Sequence, residues 1–114
     1  MVTVDRGAES SLERPFVLGF YRNDPFAPQL VNTATVAVLH AWCHAEGYTL
    51  GVPFLDRAAD NGAFEALMDA LLSREDVVGV VTPTLDHLGP NKADRIADIT
   101  ATGKGLFVAY ESAP

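Results

Sequence analysis

The chain has 114 residues, 48% of them hydrophobic and 20% charged, which is enough for one packed domain and excludes a chain disordered throughout. Fifteen acidic residues against eight basic ones give a formal net charge of -7, which disfavours autonomous binding of nucleic acid and of anionic membranes, because both are polyanionic. No apolar run approaches the roughly 20 residues that a membrane span requires.

The first 14 residues are polar and show no hydrophobic period, so we predict a flexible tail over residues 1–14 ahead of a single domain over residues 15–114. This tail has no apolar segment of the kind that directs secretion. Cys43 is the one cysteine of the sequence and cannot form an internal disulfide, which is usual for a protein of a reducing compartment. These features predict a cytoplasmic protein.

The first predicted strand is the continuous apolar run Phe16–Tyr21, whose composition is typical of a strand buried on both faces. A loop rich in asparagine, aspartate and proline follows it. Apolar residues then recur at helical spacing and predict a first helix over residues 33–46. Asn32 is the expected N-cap of this helix, and Gly47 is its expected stop.

A second strand is predicted over residues 49–55, and Pro53 within it indicates a sheet edge because proline has no N–H to donate. A turn at residues 60–62 leads into a second helix predicted over residues 63–74. The third predicted strand, over residues 77–81, is again short and apolar.

The third predicted helix follows its expected cap, Asn91, and ends near Gly103, and a fourth strand is predicted over residues 106–110. Four strands alternating with three helices predict a three-layer α/β domain with a mainly parallel four-stranded sheet. Numbered along the chain, the strands are expected in the order 2-1-3-4, with helices on both faces of the sheet.

Functional sites of open parallel sheets lie beyond the carboxyl ends of the strands. The residues expected there in this sequence are Arg22, Asp24, Asp56, Asp86 and His87. The three carboxylates could hold Mg²⁺, the one cofactor that the pattern suggests, or the arginine could anchor an anion. The structural alternative is that the aspartates cap turns through their side-chain oxygens.

A second group of potential metal ligands lies in the first predicted helix. His40 and His44 are one helical turn apart, at a spacing that can hold a metal. Cys43 belongs to the apolar face of the same helix, and no further ligand is evident. Two exposed histidines and a buried thiol are therefore expected.

Several stretches carry motifs of one family. Gly19–Asp24 reads G-F-Y-R-N-D and is similar to the pattern G-Y-x-R-x-S, and Thr84–Pro90 reads T-L-D-H-L-G-P and is similar to S-L-D-R-L-G-R. Between them, Gly47–Asp56 resembles a passage that closes on f-x-D, and Phe64–Leu72 fits the helix that follows. In this order and spacing, residues 16–111 resemble the catalytic domain of serine recombinases, the resolvase/invertase family.

The resemblance implies a resolvase-like fold, and it also shows departures from the family's chemistry. In that family a serine forms a covalent link to a DNA phosphate, and several arginines stabilise charge on the phosphoryl oxygens. In this sequence Asp24 stands at the serine position, His87 stands at the arginine of the family's Asp-Arg pair, and Pro90 stands at its closing arginine. Residues 59–62 hold no counterpart of a further family arginine.

The positions that match the family are Arg22, Asp56 and Asp86, which with Asp24 and His87 would form a remnant pocket. An aspartate in place of the serine adds negative charge where the reaction requires positive charge. The resemblance therefore implies a degenerate member of the family, a pseudoenzyme with no catalytic residues.

We accordingly expect a small protein-interaction or regulatory module without a DNA-binding domain, whose partner is a protein and which forms at most a weak homodimer. Two alternatives stay open at this point. The acidic residues at the strand ends could serve a repurposed enzyme that binds a metal or a phosphate ester. The chain could also be an accessory DNA-associated protein that acts within a larger complex.

Overall fold

The structure, a computed structural model, describes residues 15–22, 29–51, 53–56 and 62–110. The predicted tail over residues 1–14 and Asp24 lie outside this described part. None of the helices within it is long and apolar enough to cross a membrane. In chain order the elements are β1 (Phe16–Arg22), α1 (Gln29–Glu46), β2 (Thr49–Leu50), β3 (Phe54–Asp56), α2 (Gly62–Ser73), β4 (Val77–Thr82), a 3₁₀ helix (Leu85–Leu88), α3 (Lys92–Ala101) and β5 (Gly105–Val108).

The sheet has the strand order β2-β1-β4-β5, with β3 also paired to β1, and each of these pairs is parallel. β2 pairs with the start of β1 through Phe16 and Thr49, and β3 pairs with its end through Arg22 and Asp56. The two short strands together correspond to the one predicted second strand, so the predicted order 2-1-3-4 is confirmed. Pro53 lies between them, where it interrupts the ladder because it has no N–H.

Helices cover both faces of the sheet, because successive side chains of a buried strand such as Val17 and Leu18 point to opposite sides. On one face α2 and α3 pack against β1 and β4, and the ring of Phe20 meets that of Phe64 edge-on with 5.9 Å between ring centroids. On the other face α1 packs against the same two strands through residues that include the fully buried Leu39. The predicted three-layer α/β architecture is therefore confirmed.

An aromatic cluster joins β5 to α1. The ring of Phe107 lies over Gly79 and Gly105, and a Cβ atom at either glycine would come within 2.7 Å of that ring. Trp42 packs on Phe107 with 5.3 Å between ring centroids, and it stacks on Tyr48 at 5.5 Å with an angle of 16° between the planes. The two glycines thus provide the space that this cluster needs to pack on the face of the sheet that α1 covers.

Several element boundaries differ from the sequence predictions, most of them by one residue. The first helix begins at Gln29, so Asn32 lies inside it and the prediction that it is the N-cap is wrong. Residues 29–32 contain neither glycine nor proline, which is why the helix extends through them. The last strand ends at Val108, where its partner β4 also ends. Asn91 occupies the N-cap of α3 as predicted, although its side chain makes no capping hydrogen bond.

Candidate functional site at the strand ends

The carboxyl ends of β1, β3 and β4 meet at one edge of the sheet because these strands are parallel. β1 ends at Arg22 and β3 ends at Asp56, and these two residues are partners in the strand register. The 3₁₀ helix after β4 brings Asp86 and His87 to the same edge. We call these four residues the strand-end rim. They are four of the five residues predicted for the site, and Asp24 lies outside the described residues.

One member of the strand-end rim, Asp56, belongs to a buried ion pair. Asp56 is 1% exposed, and its Oδ2 accepts a hydrogen bond from Nη1 of Arg95 at 3.1 Å. The same nitrogen donates to the carbonyl oxygen of Leu88 at 3.1 Å, and the guanidinium lies over the ring of Phe64, 4.7 Å from the ring centroid. Oδ1 of the aspartate is buried without a hydrogen-bond partner. Through Arg95, this carboxylate links β3 to α3 and to the end of the 3₁₀ helix.

Sequence reasoning missed Arg95 because its partner, Asp56, is 39 residues away along the chain. A signal was nevertheless present, since the arginine lies four residues before Ile99 in α3 and hence on the same face of the helix as this fully buried isoleucine. A charged residue on the apolar face of a short helix indicates a buried charge with a partner.

His87 connects the 3₁₀ helix to the end of β1. Its Nδ1 accepts a hydrogen bond from the backbone N–H of Arg22 at 2.9 Å. A nitrogen that accepts this hydrogen bond carries no proton, so the ring is neutral and its proton is on Nε2. Burial lowers the pKa of His87 below its ordinary value of 6.5, the nearby Arg22 lowers the pKa further, and Asp86 opposes both effects. The position that resembles the family arginine therefore presents an uncharged ring at neutral pH.

Asp86, unlike Asp56, is exposed to solvent. Its Oδ1 accepts a hydrogen bond from Nζ of Lys92 at 3.0 Å. The Asp86 side chain is 86% exposed and that of Lys92 is 49% exposed. An ion pair this exposed contributes little to stability, because water and salt screen it. The carboxylates of Asp56 and Asp86 are thus engaged by different cations in different environments.

The structure shows where the predicted metal ligands lie. Among the described residues, no three histidine, cysteine, aspartate or glutamate side chains lie close enough together to hold a metal ion. His40 and His44 are exposed on α1, and Cys43 is buried in the core, as predicted. Burial raises the pKa of the Cys43 thiol to about 11, so this sulfur is protonated at neutral pH. A Mg²⁺ site shared with Asp24 stays a prediction, because that residue lies outside the described part.

Gly89 provides the space that the Arg22 side chain occupies. Its φ is 80°, and a Cβ atom there would overlap the guanidinium of Arg22. Gly103 has a similar φ of 82° but no atom within 4 Å of such a Cβ, so it is a control for a positive φ without a steric clash.

We expect Gly103→Ala to lower the free energy of unfolding by about 1 kcal/mol, the cost of a left-handed alanine. Gly89→Ala is expected to cost more, up to about 3 kcal/mol, because the φ of 80° and ψ of -168° at this position suit glycine almost exclusively and because the methyl group would displace Arg22. Urea unfolding of both variants measures the difference. Equal losses in the two variants would show that the Arg22 contact contributes nothing.

Comparison with solved structures agrees with the fold described above. The C-terminal catalytic domain of IS1535 TnpA, an IS607-like serine recombinase, is similar to this chain with a TM-score of 0.61 and 21% sequence identity, over 82% of this chain and 70% of that one. No protein-family model matches the sequence, and no curated protein matches it. The chain therefore has the fold of a serine recombinase catalytic domain, as the resemblance of its sequence motifs implies.

Proposed function

We propose that this domain does not cleave DNA and that it acts as a protein-interaction or regulatory module built on the serine recombinase fold. The observation that carries the proposal is the state of His87, which stands where the resemblance places an arginine. Its ring accepts a hydrogen bond from the backbone of Arg22 and is therefore an uncharged group. A neutral imidazole held in this way supplies no positive charge to a phosphoryl oxygen.

The other requirements of strand cleavage are also unmet in this proposal. The reaction needs a hydroxyl nucleophile, and Asp24 offers a carboxylate that repels a phosphodiester. Loss of one preorganised donor at a transition state typically costs about 3 to 4 kcal/mol. The nearby guanidinium of Arg95 is no substitute, because it is buried against the carboxylate of Asp56.

A protein partner fits the charge of the chain better than DNA does. The net charge of -7 opposes binding to a phosphate backbone, whose neutralisation by lysine and arginine supplies most of the affinity for nucleic acid. Self-association into a weak homodimer is part of the same proposal, and the mass of the purified chain measured by light scattering over a range of concentrations tests it.

The decisive test of inactivity is an assay for cleavage and covalent attachment on supercoiled plasmid DNA. We expect no protein–DNA adduct from the wild type and none from Asp24→Asn, which removes the charge at the serine position. An adduct formed by the wild type and lost in Asp24→Asn would refute the proposal. Mobility shifts that persist at about 150 mM salt would contradict the charge argument, because non-specific contacts weaken steeply over that range.

The partner is identified by affinity capture from the native host, with and without nuclease treatment of the lysate. A protein retained after nuclease treatment supports the interaction module. Loss of all captured proteins after that treatment would instead favour the accessory role in a DNA-bound complex.

The enzyme alternative is less well supported by the geometry. Asp56 is buried and paired with Arg95, whereas Asp86 is exposed and paired with Lys92, so the two carboxylates are engaged by different cations and in different environments. A thermal melt with millimolar Mg²⁺ or Mn²⁺ tests this alternative. A rise in the melting temperature that disappears in Asp86→Asn would favour a metal site at the strand-end rim.

A further inference from the structure

The backbone N–H of Arg22, the last residue of β1, lies beyond the point at which β4 pairs with β1. That pairing ends at Gly19 and Val81, Thr82 still pairs with Val108 of β5, and the chain then forms the 3₁₀ helix. The N–H of Arg22 then finds its acceptor on a side chain, Nδ1 of His87, at 2.9 Å. The two residues are 65 positions apart in the sequence, so this hydrogen bond closes a long loop.

We infer that His87 is a positioning residue whose neutral, Nε2-protonated ring holds the 3₁₀ helix at the end of β1 through this hydrogen bond. We infer further that protonation of the ring breaks the bond. The inference concerns the conformation of the strand-end rim. It goes beyond the proposed function and holds whether or not the domain cleaves DNA.

The reason is that the hydrogen bond exists in only one protonation state. A proton on Nδ1 converts the acceptor into a donor that faces the N–H of Arg22, and two donors repel each other. The imidazolium would also stand beside the Arg22 guanidinium, which packs against Gly89 at the end of the same 3₁₀ helix. Protonation therefore replaces an attraction between β1 and this helix by two repulsions.

Among the described residues, two charged groups act on His87 directly, and the basic residues of α3 are engaged elsewhere. Asp86 on its own 3₁₀ helix favours the protonated ring, whereas Arg22 on β1 opposes it. Lys92 on α3 engages Asp86, and Arg95 on α3 is held by a carboxylate and by the carbonyl of Leu88. β4 has the sequence V-V-G-V-V-T and contributes no charge.

The direction of the pH effect follows from burial, which lowers the pKa of His87 in the folded chain below the ordinary value of 6.5. The unfolded chain therefore binds the proton first as the pH falls. The stabilisation from the neutral ring is fully present above about pH 6.5 and is lost as the pH falls from there through the lowered folded pKa.

The test is nuclear magnetic resonance of the full chain labelled with ¹⁵N, which reports both the ring and the Arg22 amide. At neutral pH we expect Nδ1 of His87 to resonate as an unprotonated nitrogen and Nε2 as a protonated one. The intrinsic rate of amide exchange falls on acidification, so the measure is the protection of the Arg22 amide relative to that rate, and this protection should decrease in step with titration of the ring. A protonated Nδ1 at neutral pH, or an Arg22 amide that is indifferent to the titration, would overturn the inference.

Two substitutions separate the acceptor atom from the titration. His87→Asn keeps an acceptor oxygen near the Nδ1 position but cannot titrate, so the Arg22 amide should stay protected at every pH at which the chain is folded. His87→Leu removes the acceptor, and we expect the amide to exchange roughly tenfold faster at neutral pH, the effect of losing one hydrogen bond. His44→Gln on the exposed face of α1 is the control, and it should leave the amide unchanged.

If His87→Leu does not fold, the titration of the wild type and the protection of the Arg22 amide in His87→Asn still test the inference. A protection of the Arg22 amide that still depends on pH in His87→Asn, after division by the intrinsic exchange rate, would contradict the inference, because the titrating group would then be another residue. The proposed function uses the same neutral ring, so a protonated Nδ1 at neutral pH would remove support from both. An Arg22 amide that is indifferent to the titration would overturn only this inference, and a protein–DNA adduct would refute only the proposed function.

Discussion

Arg95→Met is expected to lower the free energy of unfolding by about 3 to 5 kcal/mol, the usual cost of removing one partner of a buried ion pair. In this variant the carboxylate of Asp56 stays buried, at 1% exposure in the wild type, but Oδ2 loses its partner and Oδ1 already has none. It also removes the hydrogen bond to the carbonyl oxygen of Leu88 and the contact with the Phe64 ring. Urea unfolding at neutral pH, followed by circular dichroism, measures the loss.

The controls for this prediction come from the same region. Lys92→Met breaks the exposed pair with Asp86 and should cost less than about 1 kcal/mol, because exposed ion pairs contribute little. The double variant Asp56→Leu with Arg95→Met removes both buried charges and should recover much of the stability, since an apolar pair of similar volume is often neutral or better. A loss below about 1 kcal/mol in Arg95→Met would show that the buried pair is not important for folding.

Gly79→Ala is expected to destabilise the domain by about 1 to 3 kcal/mol, the usual cost of overpacking a well-packed site. A Cβ atom at this position would lie 2.5 Å from the carbonyl oxygen of Gly105 and 2.7 Å from the ring of Phe107. The carbonyl belongs to the neighbouring strand and cannot move without disturbing the β4–β5 ladder. Thermal unfolding and the near-ultraviolet circular dichroism of Trp42, which packs on Phe107, report the change.

Gly51→Ala is the matched control for Gly79→Ala. A Cβ atom there has its nearest contact at 3.5 Å, from the side chain of Leu18, which is an ordinary van der Waals distance. We expect this variant to stay within about 0.5 kcal/mol of the wild type, as is usual for a substitution without a specific clash. Equal stability of the two variants would mean that β4 and β5 yield to the added methyl group.

The architecture could be predicted because it depends on local patterns. Apolar runs such as Phe16–Tyr21 have the length of buried strands, and the stripes of the helices repeat at helical spacing. Right-handed crossovers then leave few ways to order four parallel strands, and the observed order agrees with the predicted one. The predicted start of α1 was wrong, because several residues before Asn32 fit a helix equally well.

The sequence alone determined the fold class, the strand order and the four members of the strand-end rim, because the apolar pattern locates each buried strand and parallel strands end at one edge of the sheet. Only the tertiary structure decided what those residues do there. The pairing of Asp56 with Arg95 and the bonding of His87 to the backbone of Arg22 each join elements distant in sequence. Such contacts depend on how whole helices and strands pack, and no local pattern encodes the partner of a buried charge or the protonation state of a ring.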